Sequence, residues 1–209
     1  MTSFLDPRRA PRLRDYWMRL ALRGVHYGSR ARKLDTLYLV EDPWQMRSAK
    51  EQARFGWTNQ VIADHLAPLD TILEIGCGEG HQSQYLARLC GGRLYGIDVS
   101  ARAVRRARRR CPGGSFAVGE PFGFGLGDMP PAVDLVVACE MLYYVKDIPR
   151  FLERISQLGR ACLVTYYQGQ AAALDPHFAA LPGCERAQFR FDGTAWNAVW
   201  WRNSGDPKE

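Results

Sequence analysis

The segment Glu74-Ile75-Gly76-Cys77-Gly78-Glu79-Gly80 carries the most specific chemistry in this sequence. A glycine-rich turn lets the backbone approach a ligand closely, and one that opens a helix also offers that helix's unpaired N–H groups. The glycines read G-x-G-x-G, and His81 stands where a dinucleotide fold wants its third glycine beneath a pyrophosphate. Glu74, just before the turn, repels a pyrophosphate and attracts an ammonium. Asp98 ends the run Tyr95-Gly96-Ile97-Asp98 and can accept both hydroxyls of a ribose. Glu120 follows a third apolar run and can accept from an adenine amino group. Glu140 opens Glu140-Met141-Leu142-Tyr143-Tyr144 behind a buried run, where a carboxylate seldom sits without a partner.

These residues need a scaffold that brings them together, and the pattern from Thr71 onward supplies one. Short apolar runs over 71–75, 94–98, 115–118, 133–138 and 161–166 read as strands; the fourth is almost wholly apolar, as a strand buried on both faces should be. Helical spacing falls between them, at 82–89, from a Ser100 N-cap through Arg110, and over Ile148 to Leu158. Runs at 188–191 and 195–201 flank Asp192-Gly193, a hairpin signal. Alternation of strand and helix predicts an α/β fold, a doubly wound, mostly parallel seven-stranded sheet with an antiparallel C-terminal hairpin and an N-terminal helical extension. Each candidate residue then lies at the carboxyl end of a strand, and all converge on one crevice. The expected ligand carries an ammonium, a ribose and an adenine but no phosphate, a description that S-adenosylmethionine meets.

The bulk properties narrow the alternatives. With 209 residues, 46% of them hydrophobic, the chain makes one domain with a sizeable core. No stretch approaches the roughly 18 apolar residues of a membrane span, and the first 25 residues lack an apolar signal core, so a cytoplasmic protein without stable membrane insertion is expected. The six cysteines show no metal-ligand spacing and read as small buried hydrophobes; no metal is expected. The net charge of +6 belongs to residues 1–40, with nine Lys/Arg against three Asp, while the rest is balanced. That distribution argues against a nucleic-acid partner, and the arginines between 102 and 110 read as a surface helix. Residues 1–40 form a basic amphipathic extension, with Leu13, Tyr16, Trp17 and Leu20 as its stripe, and 41–209 the ligand-binding domain. The stripe can close over the crevice as a lid, mediate oligomer contacts or lie on a membrane surface.

The Glu-x-Gly-x-Gly-x-Gly turn, with Tyr95-Gly96-Ile97-Asp98 after it, resembles class I S-adenosylmethionine-dependent methyltransferases. Together with Asp42-Pro43-Trp44, Glu51 to Arg54 and Glu140 to Tyr144, it is similar to their NodS-like subgroup, named for a nodulation-factor N-methyltransferase. The resemblance implies that Gly76, Cys77, Gly78 and Gly80 surround the methionine part of the cofactor. It implies that Asp98, with Val99 beside it, holds the ribose and Glu120 the adenine, and that Glu140 lines the floor near the sulfonium. It also implies that Trp44 belongs to the cofactor site and that Arg54 clamps the methionine carboxylate. This chain departs from the pattern at Lys50, where a Tyr is expected.

Direct displacement at the sulfonium methyl by an acceptor nitrogen or oxygen is the expected chemistry. It needs positioning above all, with Glu140, Tyr143 and His177 as candidate catalytic groups. His177 has the unperturbed pKa of a general base; its other reading is an exposed loop histidine. His81 either contacts a ligand or is an ordinary polar residue of a first helical turn. No Asp-Pro-Pro-Tyr, Asn-Pro-Pro-Tyr or Pro-Cys follows the fourth strand, so a small-molecule acceptor is expected rather than a base of DNA. A nicotinamide-dependent oxidoreductase and a non-catalytic cofactor-binding module are the competing readings.

Overall fold

The computed structural model describes residues 30–203. The stripe from Leu13 to Leu20 lies outside them. Of the extension, α1 (Arg30–Leu37) is described; α2 (Ala49–His65) follows, then β1 (Leu69–Ile75), the short α3 (Ser83–Leu86), β2 (Cys90–Asp98) and α4 (Ala101–Arg110). Next come β3 (Ser115–Val118), β4 (Val133–Cys139), α5 (Ile148–Leu158), β5 (Gly159–Tyr167), α6 (Ala171–Phe178), β6 (Glu185–Phe191) and β7 (Thr194–Arg202). The helix ends are encoded locally. Ser100 accepts from the Ala103 N–H, Ser48 from Glu51 and Asp147 from Arg150, each satisfying a donor that the helix itself leaves free.

The seven strands form one sheet in the order β3-β2-β1-β4-β5-β7-β6. The first five are parallel, and β7 runs antiparallel to both β5 and β6. The expected hairpin is present, its Asp192-Gly193 turn at φ 46° and 70°, which suits the twist of a two-residue connection. Its second strand, not its first, pairs with the sheet. The reason is composition: Ala198, Val199, Trp200 and Trp201 are buried, whereas β6 presents mostly exposed side chains and makes an edge.

Alternate residues of each central strand face opposite layers. Leu73, Ile75, Val136, Val164 and Tyr166 pack with α5 and α6. Ile72, Leu94, Leu135, Val137 and Leu163 pack with α2 and α4. The chain reverses its direction of winding between β1 and β4, so a crevice opens beyond their carboxyl ends. All six cysteines are unpaired thiols. Among the described residues no helix is long and apolar enough to cross a membrane.

Gly80 ties this framework to the turn. It sits at φ 79°, and a Cβ there would lie 2.9 Å from Ala107 Cα on α4. Gly80→Ala should therefore cost about 2–4 kcal/mol, left-handed strain and overpacking together. Urea denaturation would show it as a lower midpoint at unchanged slope; a loss below about 1 kcal/mol would refute this account of the glycine.

Candidate functional site

The crevice is a cavity of about 690 Å³, within the usual size of small-molecule sites. Four strand ends supply it. Glu74, Gly76, Cys77 and Gly78 come from the end of β1, Asp98 and Val99 from β2, Glu120 from the loop after β3, and Cys139 and Glu140 from β4. From the N-terminal side, Tyr38, Trp44, Glu51 and Arg54 line the same space.

Asp98 is the hinge of the arrangement. Its Oδ2 accepts from the Gly78 N–H at 3.0 Å and its Oδ1 from Ser100 N–H at 2.8 Å. One carboxylate thereby fixes the glycine turn against the end of β2 and keeps further lone pairs for a ligand. Burial pushes it up to about 6, against the pull of the two N–H groups. Glu74 is 2% exposed. Burial pushes it up to about 8, while the Ser83 hydroxyl, which donates to it, and Arg54 pull the other way.

Arg54 is buried among acids. Its Nε donates to Glu51 Oε2 at 2.8 Å and its Nη1 to Gln82 Oε1 at 3.3 Å. Burial disfavours its charge, but Glu140 and Glu51 outweigh that and hold it firmly protonated. Glu140 sits at φ 53°, a left-handed conformation that a non-glycine residue adopts at a cost of about 1–3 kcal/mol. Its N–H donates to the Thr165 carbonyl, and its carboxylate accepts from Thr165 Oγ1 at 3.0 Å and Tyr143 at 2.8 Å. Burial raises it above the ordinary carboxylate value in spite of Arg54. Tyr143 accepts in turn from the Tyr167 N–H. The rings of Trp44 and Tyr144, with centroids 6.0 Å apart, form an aromatic wall beside this carboxylate.

Of the residues singled out in the sequence, Trp44, Arg54, Glu74, Gly76, Cys77, Gly78, Asp98, Val99, Glu120, Glu140 and Tyr143 line the cavity. Gly80 and His177 do not. Gly80 faces α4. His177 lies in the last turn of α6, a helix packed through Leu174 and Phe178 into the core layer that holds α5. His81 does line the cavity and is buried.

Two features escaped the sequence. Tyr38 is buried, and its hydroxyl lies 2.9 Å from where a Gly78 Cβ would be, so the end of the extension is part of the site wall rather than a separate piece. The arginines of α4 are not simply a solvated face. Arg102 pairs with Asp35, Arg106 with Glu79, and Arg110 lies 3.9 Å from the same Glu79. A run of arginines gives no hint in sequence of which ones turn inward.

The strand order, the glycine turn after β1 and the acid that ends β2 define the class I methyltransferase fold. Residues 73–161 match the family model described as a methyltransferase domain. Within that fold the chain is similar to NodS proteins. It is 35% identical to nodulation protein S of Sinorhizobium fredii over 115 residues, 52% of this chain and 50% of that protein. Its fold superposes on the crystal structure of the N-methyltransferase NodS from Bradyrhizobium japonicum WM9 in complex with S-adenosyl-L-homocysteine at a TM-score of 0.68. That match covers 83% of this chain and 98% of the other at 21% identity. A human relative, the mitochondrial arginine-hydroxylase NDUFAF5, is 33% identical over 121 residues, 54% of this chain and 34% of that protein. The matches thus span about half or less of the length of these curated relatives.

Proposed function

We propose that this chain is an S-adenosylmethionine-dependent methyltransferase acting on a small-molecule acceptor through nitrogen or oxygen, an amino sugar or a biosynthetic intermediate. The observation that carries the reading is Asp98: a buried carboxylate at the end of β2, bonded to the N–H of Gly78, beside a second buried carboxylate at Glu74. That pair suits a ligand with ribose hydroxyls and an ammonium and opposes one with a pyrophosphate.

The residues present fit the cofactor. Gln82 Nε2 is buried on the cavity wall without a hydrogen-bond partner, so a donor awaits an acceptor such as a carboxylate. Gly76, at φ 75°, offers bare backbone to the same space. In this reading Arg54 and Gln82 meet the methionine carboxylate, Glu74 the ammonium, Asp98 the ribose and Glu120 the adenine amino group. The bound cofactor supplies an activated methyl group. The protein's own part is to hold the acceptor in line. Glu140, with Tyr143, takes up the acceptor's proton or orients its amine, and Trp44 and Tyr144 exclude water. Residues 1–40 act as a lid whose last turn, at Tyr38, already forms part of the wall.

The direct test is calorimetric titration with S-adenosylmethionine, S-adenosylhomocysteine and NAD, followed by transfer of a labelled methyl to a panel of small amines and alcohols. Binding of NAD and neither sulfur ligand would overturn the proposal. A proton count sharpens it. Glu74 is largely protonated at pH 7 when its value is about 8, and an ammonium beside it favours the ionised form. Binding should then release close to one proton, with affinity rising from pH 6 to 8 and levelling above. Calorimetry in buffers of different ionisation enthalpy measures this directly; the same apparent enthalpy in every buffer would refute the assignment of Glu74.

A further inference from the structure

A group of side chains that the methyl-transfer reading does not use stands at one edge of the cavity. His81 Nε2 lies 3.5 Å from Glu79 Oε2 and 4.0 Å from Asp42 Oδ1. Its side chain is 8% exposed, and Nε2 has no hydrogen-bond partner. A buried, unpaired imidazole nitrogen aimed between two carboxylates is a costly arrangement unless something completes it.

The three ligand atoms lie within 4.8 Å of one another. That spacing lets a single divalent ion reach one ligand atom of each residue. Lone pairs are available. Asp42 Oδ1 accepts one N–H, from Met46, and Oδ2 one from Arg47. Glu79 Oε2 accepts the Asp42 N–H at 3.1 Å, while Arg106 occupies Oε1. Each oxygen facing His81 therefore keeps a free site. The surrounding charges are Arg106 and Arg110, 3.9 Å from Glu79 Oε2.

We propose that Asp42, Glu79 and His81 form a binding site for a divalent transition-metal ion such as Mn²⁺ or Zn²⁺, with its remaining coordination positions open to the cavity. One imidazole with two carboxylates suits such ions rather than a soft, thiolate-preferring one. An ion there bridges the loop at 42–46, which carries Trp44, to the glycine turn. The site stands independently of the cofactor assignment, because none of its three residues is assigned a role in holding the cofactor.

The test uses the full chain and Mn²⁺, which unpaired thiols bind poorly. Loss of the free-ion electron paramagnetic resonance signal counts the bound ion, with Zn²⁺ calorimetry as a second reading. The wild type should bind one equivalent of Mn²⁺. His81→Ala should weaken that by about 100-fold, the upper end of what outer partners alone contribute, and Asp42→Asn should weaken it too. The ion should raise the melting temperature of the wild type and not of His81→Ala. Circular dichroism without metal establishes that both variants are folded, and the second variant keeps the test open if one is not. No binding by the wild type, or equal binding by wild type and both variants, would overturn the site.

Discussion

Replacing Asp98 with alanine should weaken S-adenosylhomocysteine binding by at least about 100-fold, or ~2.7 kcal/mol. Two effects add. The variant loses a charged acceptor for the ribose hydroxyls, and hydrogen bonds to a charged group contribute about 1.5–3 kcal/mol. It also frees the N–H groups of Gly78 and Ser100, so the glycine turn is no longer pinned to β2 where the ligand needs it. Asp98→Asn, which keeps one carbonyl acceptor, should fall between the two. The pH profile separates this from misfolding. Asp98 is pushed up to about 6, so wild-type affinity should drop as the pH falls below 6 and the carboxylate protonates. The alanine variant should lose that part of the profile. Calorimetry from pH 5 to 7.5 on both proteins decides it, and a loss smaller than about fivefold would remove Asp98 from the site.

Arg54→Met should cost about 3–5 kcal/mol of folding stability, the usual result of removing one partner from a buried charge network. Methionine keeps most of the packed volume, so the loss is electrostatic. Glu51 is bonded to the guanidinium, and Glu74 and Glu140 both feel its charge. The sign with pH follows from the two buried acids. Their folded values already stand above the unfolded ones, so the folded state holds more protons, and their contribution is lost as pH rises through the folded values. Without Arg54 those values rise further. The gap between variant and wild type should therefore be wider at pH 8 than at pH 5.5. Urea titrations at the two pH values test both points; a gap that does not change with pH would mean that packing, not charge, is what Arg54 provides.

Much of this molecule follows from local chemistry. The turn at 76–80 needs glycine because its three glycines all take positive φ. Ser100 caps α4, α5 spans Ile148–Leu158, and Asp192-Gly193 turns the hairpin as their side chains dictate. Each depends on neighbours a few residues away, so the parallel sheet, the crevice and most of its lining were legible by inspection of the chain. What reaches across the chain was not. Only the packed structure decides that β7 and not β6 joins β5, since both read as strands and the choice depends on total burial. Only topology brings Tyr38 to Gly78, turns Arg106 and Arg110 onto Glu79, and keeps His177 off the cavity wall. Glu79 looks like an ordinary polar residue in one dimension, and nothing in the sequence sets it beside Arg106 and His81. Their chemistry comes from losing water together, and which charges are dehydrated side by side is settled by the tertiary fold.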